Sequence, residues 1–185
     1  MRVEGGSARG IELKAPRSRS VRPTTSLMRQ AVFSMLENSG RPCDVVLDLF
    51  AGSGALGIEA LSRGASRADF VDNSRECCTV IKQNLERTHL SGQAEVHCMP
   101  ARRALDVLEQ RYDTVFMDPP YDDASTSDIL ASLSVTSLLT PGALVVVSHG
   151  DRHPLADSYG SLTVWKKRRY GDSHVSIYQR EEQAE

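Results

Sequence analysis

The stretch Val45-Val46-Leu47-Asp48-Leu49-Phe50-Ala51-Gly52-Ser53-Gly54-Ala55-Leu56-Gly57 decides the fold. Val45–Phe50 is a nearly continuous apolar run, the pattern of a parallel strand buried on both faces. Gly52 and Gly54 let the backbone turn tightly and approach a ligand closely, and Ala55–Arg63 reads as a helix. The first N–H groups of that helix, and the positive end of its dipole, face whatever sits over the end of the strand. Strand, glycine turn and helix in that order predict an open sheet with its ligand over the carboxyl ends of the strands, at the point where strand order reverses.

The same alternation continues downstream. A second strand, Arg67–Val71, ends at Asp72, and Ser74 caps a helix carrying Val80, Ile81 and Leu85 on one face. A third strand, Glu95–Cys98, precedes a short helix over Ala101–Leu108. The fourth, Thr114–Met117, runs into Asp118-Pro119-Pro120-Tyr121. A helix around Ser127–Leu139 and a strand over Ala143–Val147 follow. Thr163–Trp165 and His174–Gln179 predict a closing antiparallel pair around Lys166–Gly171. Upstream, Gly5-Gly6 and Gly10 punctuate a small hairpin of Arg2–Glu4 and Gly10–Lys14. Pro23-Thr24-Thr25-Ser26 starts a helix with Leu27, Ala31, Val32, Met35 and Leu36 at helical spacing, stopped by Gly40 and Pro42. The reading is α/β and Rossmann-like, a mostly parallel sheet with helices on both faces. It divides into a basic arm or hairpin over 1–22, one domain over 23–180 and a frayed acidic tail over 181–185.

At 185 residues the chain has the length of one domain, and 40% hydrophobic with 25% charged residues places it among soluble globular proteins. No apolar run reaches the length of a membrane span, and Met1-Arg2-Val3-Glu4-Gly5-Gly6 lacks the apolar centre of a signal peptide, so no membrane partner and a cytoplasmic location are expected. Cys77 and Cys78 are adjacent while Cys43 and Cys98 stand alone, which suits reduced thiols. His89, His97, His149, His153 and His174 show no ligand spacing, and no metal is predicted. The net charge of −2 hides an asymmetry. Residues 1–41 carry eight Lys or Arg against Glu4, Glu12 and Glu37, a balance of +5 that leaves −7 on the rest. A basic arm on an acidic domain suits a phosphate backbone, or is simply solvated.

Two candidate sites follow. Gly52-x-Gly54-x-x-Gly57 also fits the dinucleotide fingerprint, so the glycines alone leave the cofactor open. Asp48, inside the strand, can accept from an ammonium, directly or through water, and would repel a pyrophosphate. That favours S-adenosylmethionine (AdoMet). Asp72 suits ribose hydroxyls, and the Ala101 N–H can meet an adenine ring. Phe50, Ala51, Gly52, Ser53, Gly54 and Asn73 complete the cofactor set. At the second site the Asp118 carboxylate and the Pro119 carbonyl can accept the two hydrogens of an exocyclic base amine. Its lone pair, otherwise delocalised into the ring, is then aimed at a methyl donor, and alignment is most of the work. Pro119 and Pro120 stiffen the loop, and Tyr121 offers a face for stacking the base. Asp118 is an orienting acceptor, which also places it against the cofactor.

These residues carry a resemblance. Asp118-Pro119-Pro120-Tyr121 with Asp48–Gly54 resembles the class I AdoMet-dependent N-methyltransferases acting on base amines. A longer signature resembles the bacterial 16S rRNA guanine-N2 methyltransferases. It comprises Gly5-Gly6-Ser7-Ala8-Arg9-Gly10, then Arg22-Pro23-Thr24-Thr25 with Arg29 and Ala31-Val32-Phe33, then Phe50–Gly64, and reaches Tyr178-Gln179-Arg180. The resemblance implies a seven-stranded sheet, AdoMet as methyl donor and one guanine of 16S rRNA as target, on an assembling small subunit; a monomer is expected. It implies RNA or active-site contacts for Arg9, Arg22, Thr24, Thr25 and Arg29, with the arm beside the cofactor and substrate mouth. Three positions depart from the usual pattern: Ser74 where a second acid is frequent, Pro100 where Asn or Asp is usual, and Ser148-His149-Gly150 where a glutamate is expected. Adenine N6 or cytosine N4 of DNA or RNA stands as an alternative target. An NAD-dependent oxidoreductase and a non-catalytic RNA-binding module are the rival classes.

Overall fold

The computed structural model describes residues 1–17, 25–120 and 125–182. Five helices, α1 (Ser26–Glu37), α2 (Ala55–Ser62), α3 (Arg75–Thr88), α4 (Ala101–Val107) and α5 (Thr126–Val135), pack on a single sheet. Its strands are β1 (Val45–Leu49), β2 (Arg67–Asp72), β3 (Ala94–Cys98), β4 (Tyr112–Met117), β5 (Leu139–Gly150), β6 (Ser158–Tyr159), β7 (Leu162–Tyr170) and β8 (Ser173–Arg180). They lie in the order β3-β2-β1-β4-β5-β8-β7-β6, the first five parallel and the last three antiparallel to their neighbours. Strand order reverses between β1 and β4. Among the described residues no helix is long and apolar enough to cross a membrane.

Side chains alternate across each strand, and that alternation divides the core in two. Val46, Phe70, Phe116, Val146, Val175 and Ile177 meet α1, α2 and α3 on one face. Leu47, Leu49, Val71, Val115, Met117, Val145 and Val147 meet α4 and α5 on the other. The central strands β1, β4 and β5 bury both faces, which is why they read as nearly continuous apolar runs. The α1 side is closed by Phe33, whose ring lies 5.5 Å from that of Phe116.

The expected hairpin is present as an antiparallel bridge between Arg2 and Glu12, and Val3, Ala8 and Leu13 bury into the α1–α3 core. It runs the length of α2. At one end Asn84, fully buried on α3, accepts from the Lys14 N–H at 2.8 Å and donates to the Ser53 carbonyl at 2.9 Å. At the other, the Ser7 N–H donates to the Ser62 carbonyl at 2.7 Å. Gly6 makes that approach feasible: its φ is +75°, and a Cβ there would lie 1.6 Å from the Ser62 oxygen.

The sheet has eight strands rather than seven, the addition being the two-residue β6 at the edge. Helix α5 stops at Val135 and β5 begins already at Leu139, before a register shift opposite Tyr112–Thr114. The segment Lys166–Tyr170, read as a connection, is strand: it pairs with Ser173–Ile177. Beyond its contact with β6 at Leu162 and Thr163 this part of β7 is an outer edge, where consecutive charges are the usual protection against edge-to-edge pairing.

Gly6→Ala should cost about 2–3 kcal/mol through the left-handed backbone and the clash with Ser62, a fall of roughly 4–12 °C in unfolding midpoint. A thermal melt indistinguishable from wild type would show that the hairpin is not clamped to α2 there.

Candidate active site

Gly54 caps α2 in the left-handed conformation (φ +77°) and has no side chain with which to receive the helix's first N–H groups. Asp48 does so from β1: its Oδ2 accepts from the Gly57 N–H at 2.9 Å, and the residue is 1% exposed. Asp72, at the end of β2, holds the other side of the turn. Its Oδ2 accepts from the Gly52 N–H and its Oδ1 from the Ser74 N–H, both at 2.9 Å. The turn closes on itself through Gly54 N–H to Ala51 oxygen, 2.7 Å, and Ala51 N–H to Val71 oxygen, 3.0 Å. Phe50 takes φ +58°, a left-handed conformation unusual for an aromatic residue and a local strain of about 1–3 kcal/mol. Gly57 is needed for packing: a Cβ there would lie 2.4 Å from the Phe70 ring.

A cavity of about 530 Å³ opens over the carboxyl ends of the strands, within the usual range for small-ligand sites. Of the expected cofactor residues, Phe50, Asp72, Asn73 and Ala101 line it, and so does Pro120 from the second motif. Asp48, Gly52, Ser53 and Gly54, all buried, build the turn behind the wall. Pairing of Leu49 with Met117 brings the two motifs together, because Phe50 and Asp118 then leave adjacent strands at the same level. Asp118 is half-buried, Pro119 buried and Pro120 exposed. Tyr121 lies outside the described residues.

The departures are also accounted for in the fold. Ser74 caps α3, accepting from the Cys77 N–H at 3.3 Å. Pro100 is the N-cap of α4 and lines the cavity. Ser148 is buried opposite Val175, and the His149 ring stacks on His174 at 5.4 Å.

Of the residues offered as RNA contacts, Arg9, Thr25 and Arg29 are described, and none of the three lines this cavity. Arg9 is exposed at the hairpin's turn, in a cleft with Arg2, Gly10 and Arg63 at the far end of α2. That is about 12 Å along the helix from the glycine turn, eight residues at 1.5 Å each. Arg29 is 3% exposed and holds the arm to α1, donating to the Arg2 carbonyl at 2.9 Å and the Glu4 carboxylate at 3.0 Å. Burying a guanidinium demands such partners, and the arrangement turns it inward, away from solvent phosphate. The Thr25 hydroxyl accepts from the Met28 N–H at 3.3 Å as the N-cap of α1. Arg22 and Thr24 lie outside the described residues.

Sequence reasoning missed Val71, Arg102, Ser125, Asp128 and Ile129 in the cavity wall. Their signal was weak: Asp128 and Ile129 sit in the first turn of the helix after the Asp-Pro-Pro loop, which must return across the strand ends. Elsewhere Asp69, Glu95 and His97 bring possible ligand atoms within 4.8 Å of one another. Arg67 already bridges Asp69 and Glu95, at 3.1 and 2.8 Å, and the Tyr112 hydroxyl donates to Asp69 at 2.6 Å. Burial and that carboxylate push the Tyr112 hydroxyl pKa up. Asp69 and Glu95 thus belong to a network centred on Arg67 and Tyr112.

Comparison with known proteins agrees with this architecture. The family described as Conserved hypothetical protein 95 matches residues 1–179. The Bacillus subtilis "Putative rRNA methyltransferase YlbH" is 36% identical, over 97% of this chain and 99% of its own. Ribosomal RNA small subunit methyltransferase D of Escherichia coli K12 is 32% identical over 100% of this chain and 92% of its own. Among solved structures, the Thermus thermophilus hypothetical protein TTHA0928 superposes with a TM-score of 0.81 at 32% identity, covering 96% of this chain and 98% of that one. SMU.776, complexed with SAH, shares the fold at 16% identity, with a TM-score of 0.67 over 87% of this chain and 51% of that one.

Asp48 separates a turn-building role from a ligand-binding one. Asp48→Ala leaves the buried Gly57 N–H without this acceptor and should cost about 1–3 kcal/mol in chemical denaturation. Asp48→Asn keeps an oxygen there and should stay within about 1 kcal/mol of wild type, yet bind S-adenosylhomocysteine more weakly by calorimetry. Wild-type affinity in the Asn variant would reduce Asp48 to a turn residue.

Proposed function

The chain belongs to the Conserved hypothetical protein 95 family, and we propose that it transfers a methyl group from AdoMet to the exocyclic N2 of a guanine in 16S rRNA. The observation that carries this reading is the Leu49–Met117 register, which sets the glycine turn and the Asp-Pro-Pro exit side by side over one cavity. A methyl donor and a planar base amine need that adjacency. The small-subunit rRNA methyltransferases among the relatives, similar over nearly their whole length, support the substrate class.

The cavity fits the cofactor in kind. It combines an aromatic wall at Phe50, an acid at Asp72 and the head of α4 at Ala101. Asp72 brings a carboxylate to the cavity wall, the acceptor type that ribose hydroxyls require. Asp48 lies behind Phe50 with the charge to attract an ammonium. When bound, AdoMet supplies a methyl group already activated on its sulfonium.

The chain's own contribution is orientation. Asp118 and the Pro119 carbonyl accept the two amine hydrogens, and the two prolines fix where that carbonyl points. Tyr121 stacks the base. Deprotonation ahead of attack is unnecessary, since the amine loses its proton afterwards. A stacked or paired guanine is extruded so that its amine can reach the cavity. In this reading the enzyme acts as a monomer in the cytoplasm, on an assembling small subunit. The acceptor pair would serve adenine N6 or cytosine N4 equally well. The choice of guanine follows the family resemblance.

Asp118→Ala should lower methyl transfer by about 10²-fold or more, the scale of a misaligned reacting pair, while S-adenosylhomocysteine affinity stays within a few-fold. Nucleoside mass spectrometry of 16S rRNA from cells with and without the gene identifies the product. N2-methylguanosine that persists undiminished without the gene would overturn the assignment.

A further inference from the structure

The chain places a second cluster of positive charge where the sequence reading expected only a connection. Lys166, Lys167, Arg168 and Arg169 are consecutive on β7, next to the turn that leads into β8. Sheet register locates them. Met117 pairs with Val147, Val147 with Ser176, and Ser176 with Lys167. One step further, Ser148 pairs with Val175 and Val175 with Arg168. Arg168 therefore stands level with Asp118, three strand spacings away, about 14 Å at roughly 4.8 Å each. Tyr170 and Ser173 pair at the same rim as Gly150, the end of β5.

The two faces of β7 are not equivalent. Lys167 and Arg169 stand opposite Ser176 and His174, and both meet carboxylates: Lys167 reaches Asp157 at 2.6 Å and Arg169 reaches Asp151 at 3.7 Å. Lys166 and Arg168 stand opposite Ile177 and Val175, on the side of the sheet that α1 covers. The Lys166 ammonium lies 5.1 Å from the centroid of the Trp165 ring, and Arg168 is exposed and donates to the Lys167 carbonyl. Among the described residues neither forms an ion pair with a carboxylate. Tyr170, half-buried, packs on the same core beside them. Two cations without carboxylate partners, on one face, with Arg168 level with the methyl-transfer rim and Lys166 two residues below it, ask for an anionic occupant.

We propose that Lys166 and Arg168, with Tyr170 beside them, form a phosphate-holding surface for the substrate RNA a few nucleotides from the target base. The proposal rests on the rRNA reading above and adds to it the path of the strand, from the Asp-Pro-Pro mouth across β5 and β8 to the outer face of β7. Each cation that neutralises a phosphate releases counterions, so its signature is a salt slope.

The test compares K166Q/R168Q with K167Q/R169Q as a control on the opposite face, using a 16S rRNA transcript. K166Q/R168Q should weaken RNA binding about tenfold at low salt, and reduce the slope of log K against log salt by roughly 1.4–1.8, two contacts at about 0.7–0.9 each. KM for RNA should rise with kcat held within about twofold, S-adenosylhomocysteine affinity and melting should match wild type, and K166R/R168K should restore binding. The control pair should change the slope by less than half as much. An unchanged slope and affinity in K166Q/R168Q overturns the proposal, and so do equal losses from both pairs, since total charge would then be what counts. If the wild-type chain neither binds nor methylates the RNA, the functional reading itself fails. If it does both and K166Q/R168Q matches it, only the β7 surface falls.

Discussion

Two buried carboxylates hold the turn on which the site depends. The chain must reverse from β1 into α2 within a few residues, and the left-handed Gly54 that permits this cannot cap the helix it begins. Asp48 and Asp72 take up the Gly57, Gly52 and Ser74 N–H groups instead. Hydrogen bonds to an ionised acceptor are roughly twice as strong as neutral ones, and those to Gly52 and Gly57 are buried. The left-handed Phe50 is sustained by that framework. The ligand therefore meets a wall whose backbone is already set, which reduces the ordering that binding would otherwise require. The same acids that suit an ammonium and a ribose are structural members of the turn, so binding and folding share residues here.

The rigidity of this turn matters because of what lies beside it. Pairing of β1 with β4 transmits the position of Phe50 to Asp118 through a strand register, and a one-residue slip would turn every side chain to the opposite face. The arm contributes by another route. Asn84 ties Lys14 to the Ser53 carbonyl, and Ser62 receives the tip of the hairpin, so the arm fastens both ends of α2. A segment whose composition suited either a phosphate backbone or plain solvation is in large part a brace for the glycine turn.

That difference shows what was legible in the sequence. The apolar run of β1, the glycine turn, the strand ending at Asp72 and the exit at Asp118 are local patterns, and each was readable in its own stretch of chain. Ser74 as the cap of α3 was equally local. Arg29 was not: its charge reads as a surface contact until Glu4 and the Arg2 carbonyl, more than twenty residues away, close over it. Arg9 is basic and exposed as composition suggests, but only the path of the arm along α2 shows that it points to the far end of the sheet. Lys166–Tyr170 was hidden for the opposite reason. A run of charge has no apolar alternation, and its strand character comes from pairing with β8 rather than from its own residues. Asp48 was read as a ligand acceptor because the N–H it caps lies nine residues on, and only the folded turn brings the two together.

The charge distribution follows the same logic. A net charge of −2 argues against an RNA-binding protein if the chain is treated as a single charged body. At physiological ionic strength, however, exposed charges farther apart than about 8 Å are largely screened from one another. What a phosphate meets is the local set of cations within that distance. The acids that dominate the total are in part consumed inside the fold: Asp48 and Asp72 in the turn, Asp113 on the Asp44 and Val45 N–H groups, and Glu59 on the Glu4 N–H and Arg63. Subtracting buried acids from the balance leaves a surface more positive than the sequence total. The parts of that surface that matter are the ones the sheet's register carries to the methyl-transfer rim.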